Sequence, residues 1–281
     1  MGDALEQLLR RDRWITLAGV VALCVLAWTY VATGAGLGMN AWEMTTFSVF
    51  PHLRAHPAPI DMMGLDLAPG PPAPWGPSTW ALMIAMWWTM MIAMMSPSAA
   101  PTILLFARVH RHAMAQGQLQ PGLAPTGAFA AGYLGVWLAF SVVATSLHWL
   151  LEQSGLLSAM LMGSQSRWLS AAVLIAAGLY QLSPLKHLCL AHCRAPSEFL
   201  TRHWRPGAGG AMRLGVVHGA YCVGCCWVLM ALLFVGGVMN LIWIAALAVL
   251  VLAEKVAAGG EWLGRGVGIA LILWGVATTL V

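Results

Sequence analysis

The chain has 281 residues, 60% of them hydrophobic and only 9% charged, and a formal net charge of +4. Its mean hydropathy of +0.77 lies far outside the balance of a soluble domain and assigns it to the integral membrane proteins. The small positive charge then concerns orientation in a bilayer and gives no ground for nucleic-acid binding.

A hydrocarbon core of about 30 Å is crossed by roughly 20 apolar helical residues. Apolar runs of that order cover residues 14–32, 80–109, 127–151, 168–190, 214–239, 241–257 and 262–281. They predict an all-α, polytopic transmembrane helix bundle of about seven helices, forming one membrane domain over residues 1–281. The first run follows Arg10, Arg11 and Arg13 and is too long for the apolar region of a secretion signal, so it reads as a retained helix.

With the N-terminus inside, Arg10, Arg11, Arg13, Arg108, Arg111, Lys186, Arg194, Arg202, Arg205, Arg213, Lys255 and Arg265 fall in cytoplasmic segments. Only Arg54 and Arg167 fall outside, together with the acidic Glu43, Asp61, Asp66 and Glu152. That asymmetry predicts a bacterial inner-membrane protein with a cytoplasmic N-terminus and an outer C-terminus.

Residues 34–78 form the longest polar segment, a Pro/Gly-rich extracytoplasmic loop too short to bury a core of its own and expected to lie over the bundle as a lid. It carries Met39, Met44, His52, His56, Met62 and Met63. A copper-collecting surface would use such side chains, and a loosely ordered interfacial loop would contain them equally well.

The second run holds six methionines. Met83, Met86, Met90 and Met94 share one face, with Met91 and Met95 beside it. Methionine is a common gap filler in cores, and its thioether is also a soft ligand weak enough to release Cu(I). Pro97 and Pro101 follow, each removing a backbone N–H, and predict a kinked or broken helix at that depth.

At the end of the third run, His148 and Glu152 lie one turn apart; they offer a weak entry site, with interfacial solvation as the favoured reading. The fourth run ends in Cys189 and Cys193, with His187 and His192 beside them. The fifth contains the most specific signal in the chain. There His218, Cys222, Cys226 and Met230 recur every four residues and Cys225 lies three after Cys222, so imidazole, thiols and thioether line one helix face.

Lone membrane cysteines serve as small packing residues. Three within five positions, one turn from a histidine, point to a metal or redox site, because polar groups at bilayer depth are costly. Cys/His/Met mixtures favour Cu(I), whereas an all-Cys or Cys/His tetrahedron would favour zinc. A short connection would bring Cys189 and Cys193 close enough to share or relay that metal; separate structural roles are the alternative. On the sixth run, Glu254 and Lys255 read equally well as a local charge pair snorkelling at the helix end and as groups with a role in proton or metal transfer.

Three stretches carry a family resemblance: Met90-Met-Ile-Ala-Met-Met-Ser-Pro-Ser98 through Pro101; Tyr180-Gln-Leu-Ser-Pro-Leu-Lys186 leading to Cys189 and Cys193; and Tyr221-Cys-Val-Gly-Cys-Cys-Trp-Val-Leu-Met230, running on to Gly237-Val-Met-Asn240 and Glu254-Lys255. Together they resemble a bacterial family of predicted metal-binding integral membrane proteins, over most of residues 80–256. The family pattern has Arg-Ser-Pro after its second cysteine where this chain has Arg194-Ala195-Pro196, a change that leaves the thiols intact. The resemblance implies metal binding and a link to copper supply for a copper-dependent oxidase; the outer loop lies beyond it.

The residues thus point to a core of metal-binding helices over 80–256. Its expected Cu(I) ligands are Cys222, Cys225, Cys226, His218, Cys189 and Cys193, with Met90, Met91, Met94 and Met95 as a path for ligand exchange and zinc as the second candidate metal. Nucleotide-binding glycine loops, nucleophile elbows and His-Glu-x-x-His motifs are absent from the sequence, so neither primary pumping nor conventional hydrolysis is indicated. The competing reading is a membrane-embedded metalloenzyme or thiol oxidoreductase, or an accessory subunit of a membrane complex.

Overall fold

The computed structural model describes residues 2–48, 50, 74–116 and 124–281. Among them all regular structure is helical, apart from one isolated bridge between Leu157 and Ser164. The helices are α1 (Gly2–Ala32), α2 (Pro77–Ala115), α3 (Ala124–Gln153), α4 (Arg167–Gln181), α5 (Pro184–Arg194), α6 (Pro196–His203), α7 (Gly207–Ala231), α8 (Leu233–Gly236), α9 (Leu241–Val256) and α10 (Gly260–Leu280). The loop residues His52, Arg54, His56, Asp61, Met62, Met63 and Asp66 lie outside the described residues.

Five helical stretches are long and apolar enough to cross a membrane, or six if α4 and α5 count as one bent span. The expected seven is corrected at two places. The fourth run is not one helix: α4 and α5 meet at 62°. Ser183 accepts a hydrogen bond from the Lys186 amide as the N-cap of α5, with Pro184 at its first position, a combination that starts a new helix. Helix α9 has only 16 residues, about 24 Å of axis against a core of about 30 Å.

The break expected in α2 is also absent, since the helix runs unbroken through Pro97 and Pro101. Pro97 cannot donate to the carbonyl four residues earlier, at Ala93. That oxygen instead accepts a hydrogen bond from Trp28 Nε1 at 3.1 Å and a weak one from Cys24 Sγ at 3.9 Å. Helix α1 therefore supplies a donor where Pro97 removes one, and Cys24 acquires a packing role.

Helix α2 is the central element: Met83, Met86, Trp87, Met90, Met91, Met94 and Met95 are all in the buried core. Around it, α3 and α7 approach to backbone contact. A Cβ at Gly132 would fall 2.2 Å from Met212 O, and one at Gly215 would fall 2.0 Å from Phe129 O. Small residues at a helix crossing permit such approach where dispersion, not hydrophobic exclusion, drives association. This crossing sets the height of the α7 cysteines against α2 and α3.

Gly215→Ala should therefore force the two backbones apart and cost about 1–3 kcal/mol, read as a lower melting temperature of the detergent-solubilised protein. Gly135→Ala, where an added Cβ meets nothing within 4 Å, should leave melting unchanged. Equal melting of both variants would contradict the close crossing.

Candidate metal centre

Helix α7 presents its soft side chains to the bundle interior: His218, Cys222, Cys225, Cys226 and Met230 are all buried. The thiols of Cys225 and Cys226 each donate to the Cys222 carbonyl at 3.0 Å. Cys226 also reaches across to α2, its Sγ lying 3.9 Å from the Met95 sulfur. Cys222 faces α3 and α9, with Sγ 3.3 Å from the Tyr133 hydroxyl and 2.9 Å from Lys255 Nζ. Tyr133 in turn donates to the Met95 carbonyl at 3.3 Å. Four helices thus meet at one group of sulfur atoms.

The expectation that Glu254 and Lys255 snorkel to an interface is corrected, because both are buried, at 2% and 8% exposure. Consecutive residues on a helix point about 100° apart, and these two serve different neighbours. The Glu254 carboxylate pairs with Lys186 Nζ at 2.6 Å and accepts from Gln181 Nε2 at 2.7 Å. Gln181 also accepts from Lys186 Nζ, closing the network. Lys186, expected in a cytoplasmic loop, is itself buried, since the turn at Ser183 aims it at α9.

Lys255 faces the other way and donates to Ser98 Oγ at 3.0 Å, beside Cys222. Among the described residues it has no carboxylate partner. Glu254 balances Lys186, and the Lys255 charge is left against sulfur. An ammonium this close complements the negative charge that sulfur carries when it ligates a metal.

Cys189 and Cys193 on α5 join the group. The Cys193 thiol lies beside that of Cys225. The Cys189 sulfur rests on Gly224, where an added Cβ would lie 2.9 Å from it, and the Tyr180 hydroxyl donates to the Gly224 carbonyl. His218 packs among Phe129, Tyr133 and Phe199, and its Nδ1 is buried without a hydrogen-bond partner. Of the α2 methionines, Met95 touches the thiol group. Met90, Met91 and Met94 are buried in the same core.

Among the described residues no three His, Cys, Asp or Glu side chains are already converged as a metal site, since the thiols are turned to the Cys222 carbonyl. Their chemistry nonetheless fits a soft ion: several thiols, a thioether and a free imidazole nitrogen surround one buried cation. Cu(I) held by a pair of thiolates carries a single net negative charge, which the Lys255 ammonium would neutralise; the same donors are available to zinc.

The sequence offered the thiols, Met95, Ser98 and Lys255 as candidates, but it did not bring Lys255 to the Cys222 sulfur and gave no sign of Tyr133. The detectable signal was the charged pair Glu254-Lys255 at the end of an apolar run.

Residues 84–278 match the model of the PpoB2 family, described as copper chaperone. No curated protein and no solved structure matches the chain.

Removing the Lys255 charge should separate stability from metal affinity. Lys255→Met deletes a buried cation and should leave the melting of the metal-free protein unchanged or raised. It should weaken Cu(I) binding about tenfold or more, about 1.4 kcal/mol, measured by competition with a chromophoric Cu(I) chelator. Unaltered affinity would show that the ammonium plays no part in ion binding.

Proposed function

The chain belongs to the PpoB2 copper chaperone family, and on that premise we propose that it is a bacterial inner-membrane protein that binds Cu(I) and hands it on. Cys222, Cys225 and Cys226 take the ion, with Cys193, Cys189 and His218 at the rim of the group. Met95 receives it from Cys226, and Met94, Met91 and Met90 extend the path along α2. In this reading the N-terminus is cytoplasmic and the C-terminus outside, a direction supported by Arg10, Arg11 and Arg13 ahead of the first span.

One observation carries this reading: the sulfur-to-sulfur approach of 3.9 Å between Cys226 on α7 and Met95 on α2. Ligand exchange keeps a soft ion partly coordinated only if the next donor is within reach of the present one, and here a strong thiolate donor adjoins a weak thioether. Zinc is the less suited ion, because a thioether adds little to its preferred thiolate and imidazole set. The recipient in this reading is a copper-dependent oxidase or another membrane protein that needs the metal.

Replacing Met90, Met91, Met94 and Met95 with Leu conserves volume and apolarity, so the fold should survive at a cost of less than about 1.5 kcal/mol per site. Purified protein should still hold copper at its cysteines, while cells carrying the variant should lose most copper-oxidase activity at limiting copper and regain it with excess copper. Unchanged activity at limiting copper would reduce the methionines to core packing.

A further inference from the structure

A second group of methionines lies at the other end of α2. Met39, Met44, Met83, Met160 and Met162 line one cavity of about 270 Å³ together with the Glu152 carboxylate. These residues come from the segment after α1, the start of α2, the end of α3 and the connection to α4. Met83 and Met95 are twelve residues apart on α2, about 18 Å along its axis, so this cavity is separate from the thiol group.

The carboxylate in the cavity is held from behind. Trp75 Nε1 donates to Glu152 Oε1 at 3.3 Å. His148, one turn below, is wholly buried, which corrects its expected solvation at an interface. Trp87 Nε1 donates to its Nδ1 at 3.4 Å, so the neutral ring carries its proton on Nε2. That Nε2 has no hydrogen-bond partner, and Glu152 Oε2 lies 3.9 Å from it, beyond hydrogen-bonding distance. A buried donor without a partner is costly. It is relieved if Glu152 shifts slightly toward it on engaging a ligand.

The backbone at Met162 is also unusual for a side-chain-bearing residue, with φ 50°. Its amide donates to Ser158 O at 2.8 Å and its carbonyl accepts from Val238 N at 3.1 Å. Left-handed backbone costs about 1–2 kcal/mol outside glycine, and such residues collect at ligand sites.

We propose that this cavity is a second, outer Cu(I) site, in which the methionine thioethers bind the ion and Glu152 supplies its counter-charge, positioned by His148 and Trp75. The identity of the ion rests on the copper reading above. The selectivity follows from the donors: hard divalent ions need six or more oxygens, which the cavity does not offer. Thioethers select soft Cu(I), and one carboxylate matches one positive charge. From here Met83, Met86, Met90 and Met94 continue at helical spacing toward Met95 and the thiols, making the cavity the outer terminus of the proposed path.

The test uses the full chain in detergent, titrated with Cu(I) buffered by a chromophoric chelator. With Cys189, Cys193, Cys222, Cys225 and Cys226 all changed to Ser, the protein should retain about one equivalent. Adding Met39→Leu, Met44→Leu, Met160→Leu and Glu152→Gln should abolish it, weakening binding at least tenfold. In the otherwise unaltered chain the same four changes should lower the stoichiometry by about one and leave the thiol-bound copper in place. That arm carries the test even if the five-serine chain does not fold. No binding by a folded five-serine chain, or unchanged stoichiometry in the four-change variant, overturns the proposal. A four-change variant that has lost the only copper of the unaltered chain would confirm the cavity and sink the cysteine reading instead.

Discussion

A charge buried among apolar helices must be matched by an opposite charge or a polarisable acceptor, because desolvating it costs several kcal/mol. Two lysines and one glutamate meet this demand where α4, α5 and α9 converge on α7. Lys186 is matched by Glu254 at 2.6 Å, which leaves Lys255 to be matched by the Cys222 sulfur at 2.9 Å. Much of the local architecture serves that arrangement. The turn at Ser183 redirects α5 so that Lys186 meets α9, the short α9 ends with both charges inside, and Ser98 on α2 accepts a further hydrogen bond from Lys255.

The same requirement explains why the thiols form a group. A cysteine at this depth is ordinarily a small hydrophobe, yet here a cation, a phenol and a thioether are all within reach of two adjacent helical turns. Binding a soft cation between thiolates would replace an uneven distribution of charge with a balanced one. In the proposed account Lys255 is thus a fixed counter-ion of the loaded state.

Much of this was legible in the sequence, and the failures are physical. The four-residue spacing of His218, Cys222, Cys226 and Met230 required a helix with one soft face, and α7 has it. The methionines of α2 were equally visible, but apolar periodicity does not distinguish a stripe from an all-round buried helix, and residues 90–96 of α2 are buried on every side. The prolines misled because proline removes a donor only from its own chain; Trp28, 65 residues away in sequence, restores it. The Ser183-Pro184 start signal was present but was overridden by continuous hydropathy. For Lys255 and His148 the sequence leaves an interfacial and a site role both open, because a polar residue near a helix end normally reaches water, and only tertiary packing shows that these do not.

Copper K-edge X-ray absorption of the Cu(I)-loaded protein, with Met39, Met44 and Met160 replaced by Leu to silence the outer cavity, tests the central claim most directly. The account predicts a first coordination shell dominated by sulfur, collapsing when Cys222, Cys225 and Cys226 are replaced together by Ser. A shell of nitrogen and oxygen, or a sulfur shell that survives the triple replacement, would contradict it.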